Sequence, residues 1–261
     1  MAGLAHTIVG DGRPRFVFLH GLFGRGRNWM QIAKGLSDCG SSVLLDLPNH
    51  GDSPWTTAFS YQQMATAVLA ELEERCAGAP LILVGHSMGG KVAMVAALSR
   101  PDMFSGLAVV DIAPTNSAQV SSFGPYLEAM RGMDLSTLTG KADADARLSA
   151  AVSDPGVRQF LLTNLRDRDG WRWQPNLDLL HDGLAELASW PDVGARTFAG
   201  PTRWIVGERS PYYRRDDLGL MQRYFPQVRT VIVPQAAHWV HADNPAAVIT
   251  ALAELSQASP R

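Results

Sequence analysis

Gly85-His86-Ser87-Met88-Gly89, inside LILVGHSMGGKVAM, sets a serine between two glycines, directly after a β-rich apolar run and directly before a helix-compatible one. That strand–turn–helix context is the one in which a serine hydroxyl serves as a nucleophile. The turn is tight, so small residues two positions either side of Ser87 avoid clashes. The helix that follows aims its N-terminal N–H groups at any negative charge growing beside the serine. Covalent attack on a carbonyl carbon is the chemistry expected of Ser87.

Such attack needs two donors for the developing oxyanion and a base for the serine proton. Met88 N–H follows the nucleophile and supplies one donor. Leu22 N–H, in the FLHGLFG loop after the first long strand, supplies the other, with His20 and Gly21 as shapers of that loop. Of seven histidines, His238 in VPQAAHWVHADNP is the favoured base. It lies between the last strand and the last helix, at the carboxyl edge where open α/β sheets bind ligands. His241, three residues on, is its rival. His86 is expected to point away from the serine, and His6, His50 and His181 read as structural or surface residues.

Imidazole needs a carboxylate to hold its working tautomer and to stabilise imidazolium. Asp111 is favoured. It ends the apolar strand one βα unit after the serine strand, keeps the order Ser…Asp…His, and would be costly to bury unpaired. Its other reading is an anchor for the loop Ile112-Ala113-Pro114. Glu208, in the turn Gly207-Glu208-Arg209-Ser210, is the alternative acid. Asp216 and Asp217 read as charges at a helix start, and Asp46 and Asp52 in DLPNHGDSP as turn-builders.

These residues must be held by alternating strands and helices, the pattern of a mainly parallel sheet. Strands are expected at Arg15–His20, Ser42–Leu47, Leu81–His86, Leu107–Ile112, Thr202–Gly207 and Arg229–Pro234, with Ala5–Val9 as an antiparallel edge turning at Gly10-Asp11-Gly12. Helices are expected at Trp29–Leu36, Tyr61–Cys76, Met88–Ser99 and Pro245–Leu255, the last capped by Asn244 with proline at its first position. The rhythm breaks from Ala113 to about Thr197, a span with no strand-like run and with helical segments at Ser121–Arg131 and Ala142–Val152. It is too long for one crossover and reads as a helical cap, 113–197, inserted into a core formed by 1–112 and 198–261. Phe123, Trp171 and Trp173 of the cap, with Phe23 and Trp239 beside the chemistry, are candidate substrate contacts.

At 261 residues, 46% hydrophobic and 18% charged, the chain can bury a sizeable core. A net charge of -2 and no dominant Lys/Arg run argue against nucleic acid as a partner. Arg25, Arg27, Arg214 and Arg215 read as solvated loop charges. No stretch reaches the roughly 18 apolar residues of a spanning helix. MAGLAHTIVGDG lacks the basic and apolar regions of a secretory signal, and Cys39 and Cys76 read as reduced thiols. A cytoplasmic protein, monomeric or a small homo-oligomer, is expected.

HG-x-F-G, DLPNHGDSP, GHSMGGKVAM, VVDIAP and AAHWVHADNP together resemble the α/β-hydrolase superfamily along almost the whole chain. The match is closest to YbfF-type small esterases and their ABHD11-like relatives, on GHSMGGK, VDIAP, SPYY and the wording around His238. The resemblance implies an eight-stranded sheet, hydrolysis of small acyl esters or thioesters, and no cofactor or metal. Many members keep the triad acid in a G-x-x-D turn where this chain has Ser210. The YbfF-type group similarly has serine there and aspartate at the Asp111 position, which leaves Ser210 as an auxiliary near His238. Two other readings stay open. One is C–C bond cleavage or elimination on a carboxylated substrate bound by Arg25 or Arg27. The other is a non-catalytic binding module on the same scaffold.

Overall fold

The computed structural model describes residues 3–76 and 80–259. Seven strands form the main sheet: β1 (His6–Val9), β2 (Pro14–Leu19), β3 (Ser41–Leu45), β4 (Leu81–His86), β5 (Phe104–Val110), β8 (Thr202–Gly207) and β9 (Val228–Val233). Their order is β1-β3-β2-β4-β5-β8-β9, with β1 antiparallel to β3 and every other pair parallel. The eight strands implied by the resemblance are therefore seven among the described residues. Ahead of β2 the chain offers only four-residue β1 and its turn, so the antiparallel edge is a single strand.

Apolar residues cover both faces of the sheet because a strand's side chains alternate. On β2, Val17 and Leu19 enter one core, while Phe16 and Phe18 enter the other. The first core lies under α2 (Tyr61–Arg75) and α3 (Met88–Ser99), after the short α1 (Met30–Gly35). The second lies under α1 and the last helix. Full burial of side chains such as Phe16 and Phe18 contributes roughly 1.5–3 kcal/mol each.

Between β5 and β8 the chain runs through α4 (Gly124–Arg131), α5 (Lys141–Leu148), α6 (Pro155–Leu162), the antiparallel strands β6 (Leu165–Asp167) and β7 (Trp171–Trp173), α7 (Leu177–Asp182) and α8 (Leu184–Ala188). This insertion joins the first core through residues such as Leu127, Leu161 and Leu187. The hairpin corrects the expectation of a strand-free span. Strands of three residues are too short to show a period. The legible signal was Asp169-Gly170, both at positive φ (57° and 108°), the pairing that tight hairpins require.

The insertion is tied down by Lys91, a lysine buried on α3. Its Nζ donates to Ala188 O (2.9 Å) and Ser189 O (2.6 Å), and Tyr61 Oη donates to Leu187 O (2.7 Å). These carbonyls end α8, where the helix itself supplies no donors; Ala188 O also accepts from Ser117 N (2.7 Å). Burial pushes the Lys91 ammonium down to about 7. The carbonyls and the nearby Tyr61 ring oppose that by favouring its charged form.

Three helices complete the chain: α9 (Leu218–Tyr224), α10 (Val240–Asp243) and α11 (Pro245–Ala258). Asn244 caps α11 by accepting from Ala247 N (3.1 Å), and Pro245 opens it, as expected. Among the described residues no helix is long and apolar enough to cross a membrane.

Candidate active site

Strand order reverses at β2, which has β3 on one side and β4 on the other. Crevices at such switch points, beyond the carboxyl ends of strands, are the usual ligand sites of open α/β sheets. Ser87 stands there, in the turn from β4 into α3, with φ 52° and ψ −119°, strained for a residue with a side chain. Its flanking glycines are sterically required. A Cβ on Gly85 would lie 2.2 Å from Gly89 O, and one on Gly89 would lie 2.4 Å from His20 O.

His238, Asp111 and Ser87 form one relay. Ser87 Oγ–H donates to His238 Nε2 (3.0 Å), and His238 Nδ1–H donates to Asp111 Oδ2 (2.7 Å). Asp111 is fully buried and takes the left-handed conformation (φ 55°) just past β5, a region aspartate tolerates better than most residues. Its Oδ1 accepts from Gly207 N (2.9 Å), and Oδ2 also accepts from Ser210 Oγ. Ser210 Oγ in turn accepts from Tyr212 N (3.1 Å). Glu208 is exposed and accepts from Gln235 N (2.9 Å), so it serves the neighbouring turn and not His238.

Leu22 and Met88 are buried beside the serine turn. Among the described residues neither backbone N–H donates to a protein acceptor. His20 shapes this loop as a neutral ring. Its Nδ1–H donates to Gly21 O (2.8 Å), its Nε2 accepts from Leu47 N (2.9 Å), and burial lowers its pKa to about 4. His86 turns away from the serine and donates from Nε2 to His238 O (2.8 Å). Burial holds it well below the usual histidine range. His241 stacks on Trp29 (4.5 Å), out of the relay.

Aromatic rings border the relay. Phe123 meets Phe23 edge-on at 6.1 Å, and Trp239 lies against His238 at 5.7 Å and Phe160 at 6.0 Å. Among the described residues Trp171 and Trp173 make no ring pair with these side chains, though they share the first core with Phe23, Phe123 and Phe160. β7 packs them against the first core, where Trp173 is buried. Arg25 is not a solvated loop charge: its side chain is 13% exposed and reaches Gln174 Oε1 (3.1 Å) and Asp52 (3.7 Å). Gln174 follows β7 and reaches back to this loop, where it also donates to Asp52 Oδ1 (2.9 Å). Asp46 builds its turn, accepting from Gly26 N (2.7 Å) and Asp52 N (3.0 Å), whereas the Asp52 carboxylate leaves the turn for Gln174 Nε2 (2.9 Å) and Arg25. Among the described residues no group of three or more His, Cys, Asp or Glu could hold a metal ion.

Two contacts were not legible from motifs. Asn164, fully buried in the insertion, donates from Nδ2 to Phe23 O (2.8 Å). It fixes the donor loop at Phe23, whose φ is 59°. Tyr212 stacks face-on to His238 at 4.0 Å and 21°; SPYY was the only trace of it. The aromatic face favours an imidazolium beneath it by roughly 1–2 kcal/mol. Among the described residues Tyr212 Oη has no hydrogen-bond partner. Tyr212→Phe should therefore keep kcat within about twofold, while Tyr212→Leu should lose about tenfold. Steady-state rates on a chromogenic ester check this, and a Phe variant as impaired as the Leu variant would refute the stacking role.

A model of the alpha/beta hydrolase family matches residues 16–251. The mouse sn-1-specific diacylglycerol lipase ABHD11 is 40% identical over 89% of this chain and 77% of its own length. Esterase YbfF of Escherichia coli is 32% identical over 90% of each. A solved structure titled marine microorganism esterase superposes with a TM-score of 0.93 at 30% identity, covering 97% of this chain and 99% of that one. The match of fold, motif order and sequence over nearly the whole length makes this chain a member of the alpha/beta hydrolase family.

Proposed function

We propose that the protein is a serine esterase cleaving small carboxylic esters or thioesters through an acyl-enzyme on Ser87. The observation that carries the reading is the continuous relay Ser87 Oγ–His238–Asp111; among the described residues the N–H groups of Leu22 and Met88 donate to no protein acceptor. His238 Nε2 takes the hydroxyl proton as Oγ attacks the carbonyl carbon, and Leu22 and Met88 N–H stabilise the oxyanion. Collapse expels the alcohol or thiol, which takes the proton from His238. Water, deprotonated by the same nitrogen, then releases the acid and restores Ser87. Asp111 holds the imidazole in the tautomer that both half-reactions need, and Ser210 steadies Asp111.

The relatives named as lipase and esterases support ester chemistry. The rings of Phe23, Phe123, Phe160 and Trp239 support an apolar acyl group. We propose residues 113–197 as a cap over that group, with 1–112 and 198–261 as the core. Two free cysteines fit a cytoplasmic enzyme, and we assign it to a monomer or small homo-oligomer. Cleavage of a carboxylated substrate is disfavoured because Arg25 and Arg27 line a cavity whose lining includes none of Ser87, Asp111 or His238. Fluorophosphonate labelling combined with a panel of p-nitrophenyl esters and acyl thioesters tests the reading. Labelling should stop with Ser87→Ala, and turnover should peak at one chain length. Folded protein that neither labels nor hydrolyses any member would leave only a binding role.

A further inference from the structure

A second cavity of about 460 Å³ lies where the donor loop meets the β6–β7 hairpin, and its lining includes none of Ser87, Asp111 or His238. Five arginines enter it: Arg25 and Arg27 from the core, and Arg166, Arg168 and Arg172 from the hairpin. In a chain of net charge -2, this convergence is local. The lining carboxylates are only Asp46 and Asp52. Asp46 is taken up by the backbone N–H groups of Gly26 and Asp52, and Asp52 by Arg25 and Gln174. Five guanidinium groups against two carboxylates leave a formal excess of three positive charges. His6, also at the rim, is turned to Leu4 O and Glu71.

Three further features show that this cluster is not internally balanced. Among the described residues, Arg27, Arg166, Arg168 and Arg172 have no carboxylate within ion-pair distance. Arg166 and Arg172 stand directly opposite each other across the hairpin, where like charges destabilise a strand pair. Arg25 Nε is buried and has no acceptor among the described residues. A guanidinium seldom leaves a buried N–H idle, and several converging forks fit oxyanions bidentately.

We propose that this cavity binds a small phosphorylated molecule carrying two or more phosphate groups. A diphosphate concentrates about three charges in a few atoms, which matches the excess, and its oxygens can bridge the core and hairpin arginines. One phosphate would fill too little of the space and leave most of the charge unanswered. Because the ligand would join Arg25 to the hairpin, it would also brace the donor loop from outside the crevice.

Isothermal titration of the intact protein with inorganic pyrophosphate at about 50 mM salt tests this. Binding is expected, weakening steeply with added salt. The double variant Arg166→Gln/Arg172→Gln should bind at least 30-fold more weakly. Arg147→Gln, whose guanidinium pairs with Asp143 elsewhere on the insertion, should bind as the wild type does. Fluorophosphonate labelling of Ser87 should be unchanged in the double variant, which separates loss of this site from loss of fold or of the esterase reading. No binding at millimolar pyrophosphate, or undiminished binding by the double variant, overturns the site. Citrate binding as tight as pyrophosphate overturns its assignment to phosphates.

Discussion

Asp111→Asn is expected to lower kcat by about 10³–10⁴-fold with little change in KM. The substitution keeps size and the tolerance for positive φ, so the loop past β5 should stand. What changes is the chemistry at His238 Nδ1. An amide nitrogen turned to that atom donates instead of accepting, so the ring's proton moves to Nε2. The tautomer that receives the Ser87 proton is lost. If the amide oxygen faces the ring instead, the tautomer survives without the full negative charge that stabilises imidazolium. Gly207 N donates to Asp111 Oδ1, the oxygen turned away from the ring, and so holds the amide oxygen there, which favours the first arrangement. Glu208→Gln, at an exposed carboxylate that only anchors Gln235 N, should stay within about threefold. Steady-state kinetics on one good ester decide between them. A crippled Glu208 variant beside a nearly normal Asp111 variant would reverse the assignment.

The pairing of Asp111 with His238 was legible because two physical facts coincide at Asp111. A carboxylate cannot end a buried apolar strand unpaired, and the chain order puts that strand beside the serine's. Helix α3 was legible to the residue, Met88–Ser99, since its apolar run is bounded by the serine turn and by Arg100-Pro101. The contacts that escaped are all long-range. Asn164 reaches Phe23 across 141 positions, and nothing beside it in sequence marks a buried amide. Tyr212 was visible only as one of two adjacent tyrosines, and which face it shows His238 is decided by the turn at Ser210. Arg25 read as a loop charge because its partners Asp52 and Gln174 come from separate segments, one of them in the insertion. Trp171 and Trp173 were legible as aromatic packing, and a three-residue strand with arginine between them sets both in the core that Phe23 and Phe123 share. Local pattern reveals which residues must be buried; it does not reveal which distant group they are buried against.

Stability is expected to fall steeply as pH drops from 6.5 toward 4. Three histidines, His20, His50 and His86, are buried as neutral rings, and His241 is half-buried against Trp29. Burial lowers His20 and His241 to about 4 and His50 to about 3, and holds His86 well below its ordinary value. In the unfolded chain all four titrate near 6.5. Across this window the unfolded state therefore binds protons that the native state refuses, so stability rises with pH and is lost on acidification. Each such ring contributes about 1.4 kcal/mol per pH unit once its unfolded form is charged. Four together approach about 5 kcal/mol per unit, against a total of roughly 5–15 kcal/mol for a domain. Unfolding near pH 5 follows. Carboxylates held low by partners, such as Glu71 beside Arg75 and Asp143 beside Arg147, add their own loss only once the unfolded carboxylates begin to protonate, near pH 4.5. The upper part of the window belongs to the histidines. Urea midpoints at pH 7, 6 and 5 measure the slope. His241→Phe should reduce it by about one proton, because phenyl keeps the packing on Trp29 and the replaced Nδ1 has no partner. A midpoint unchanged from pH 7 to pH 5 would mean that these rings open to water or charge in place, and the neutral, packed support of His238 by His86 would have to be abandoned.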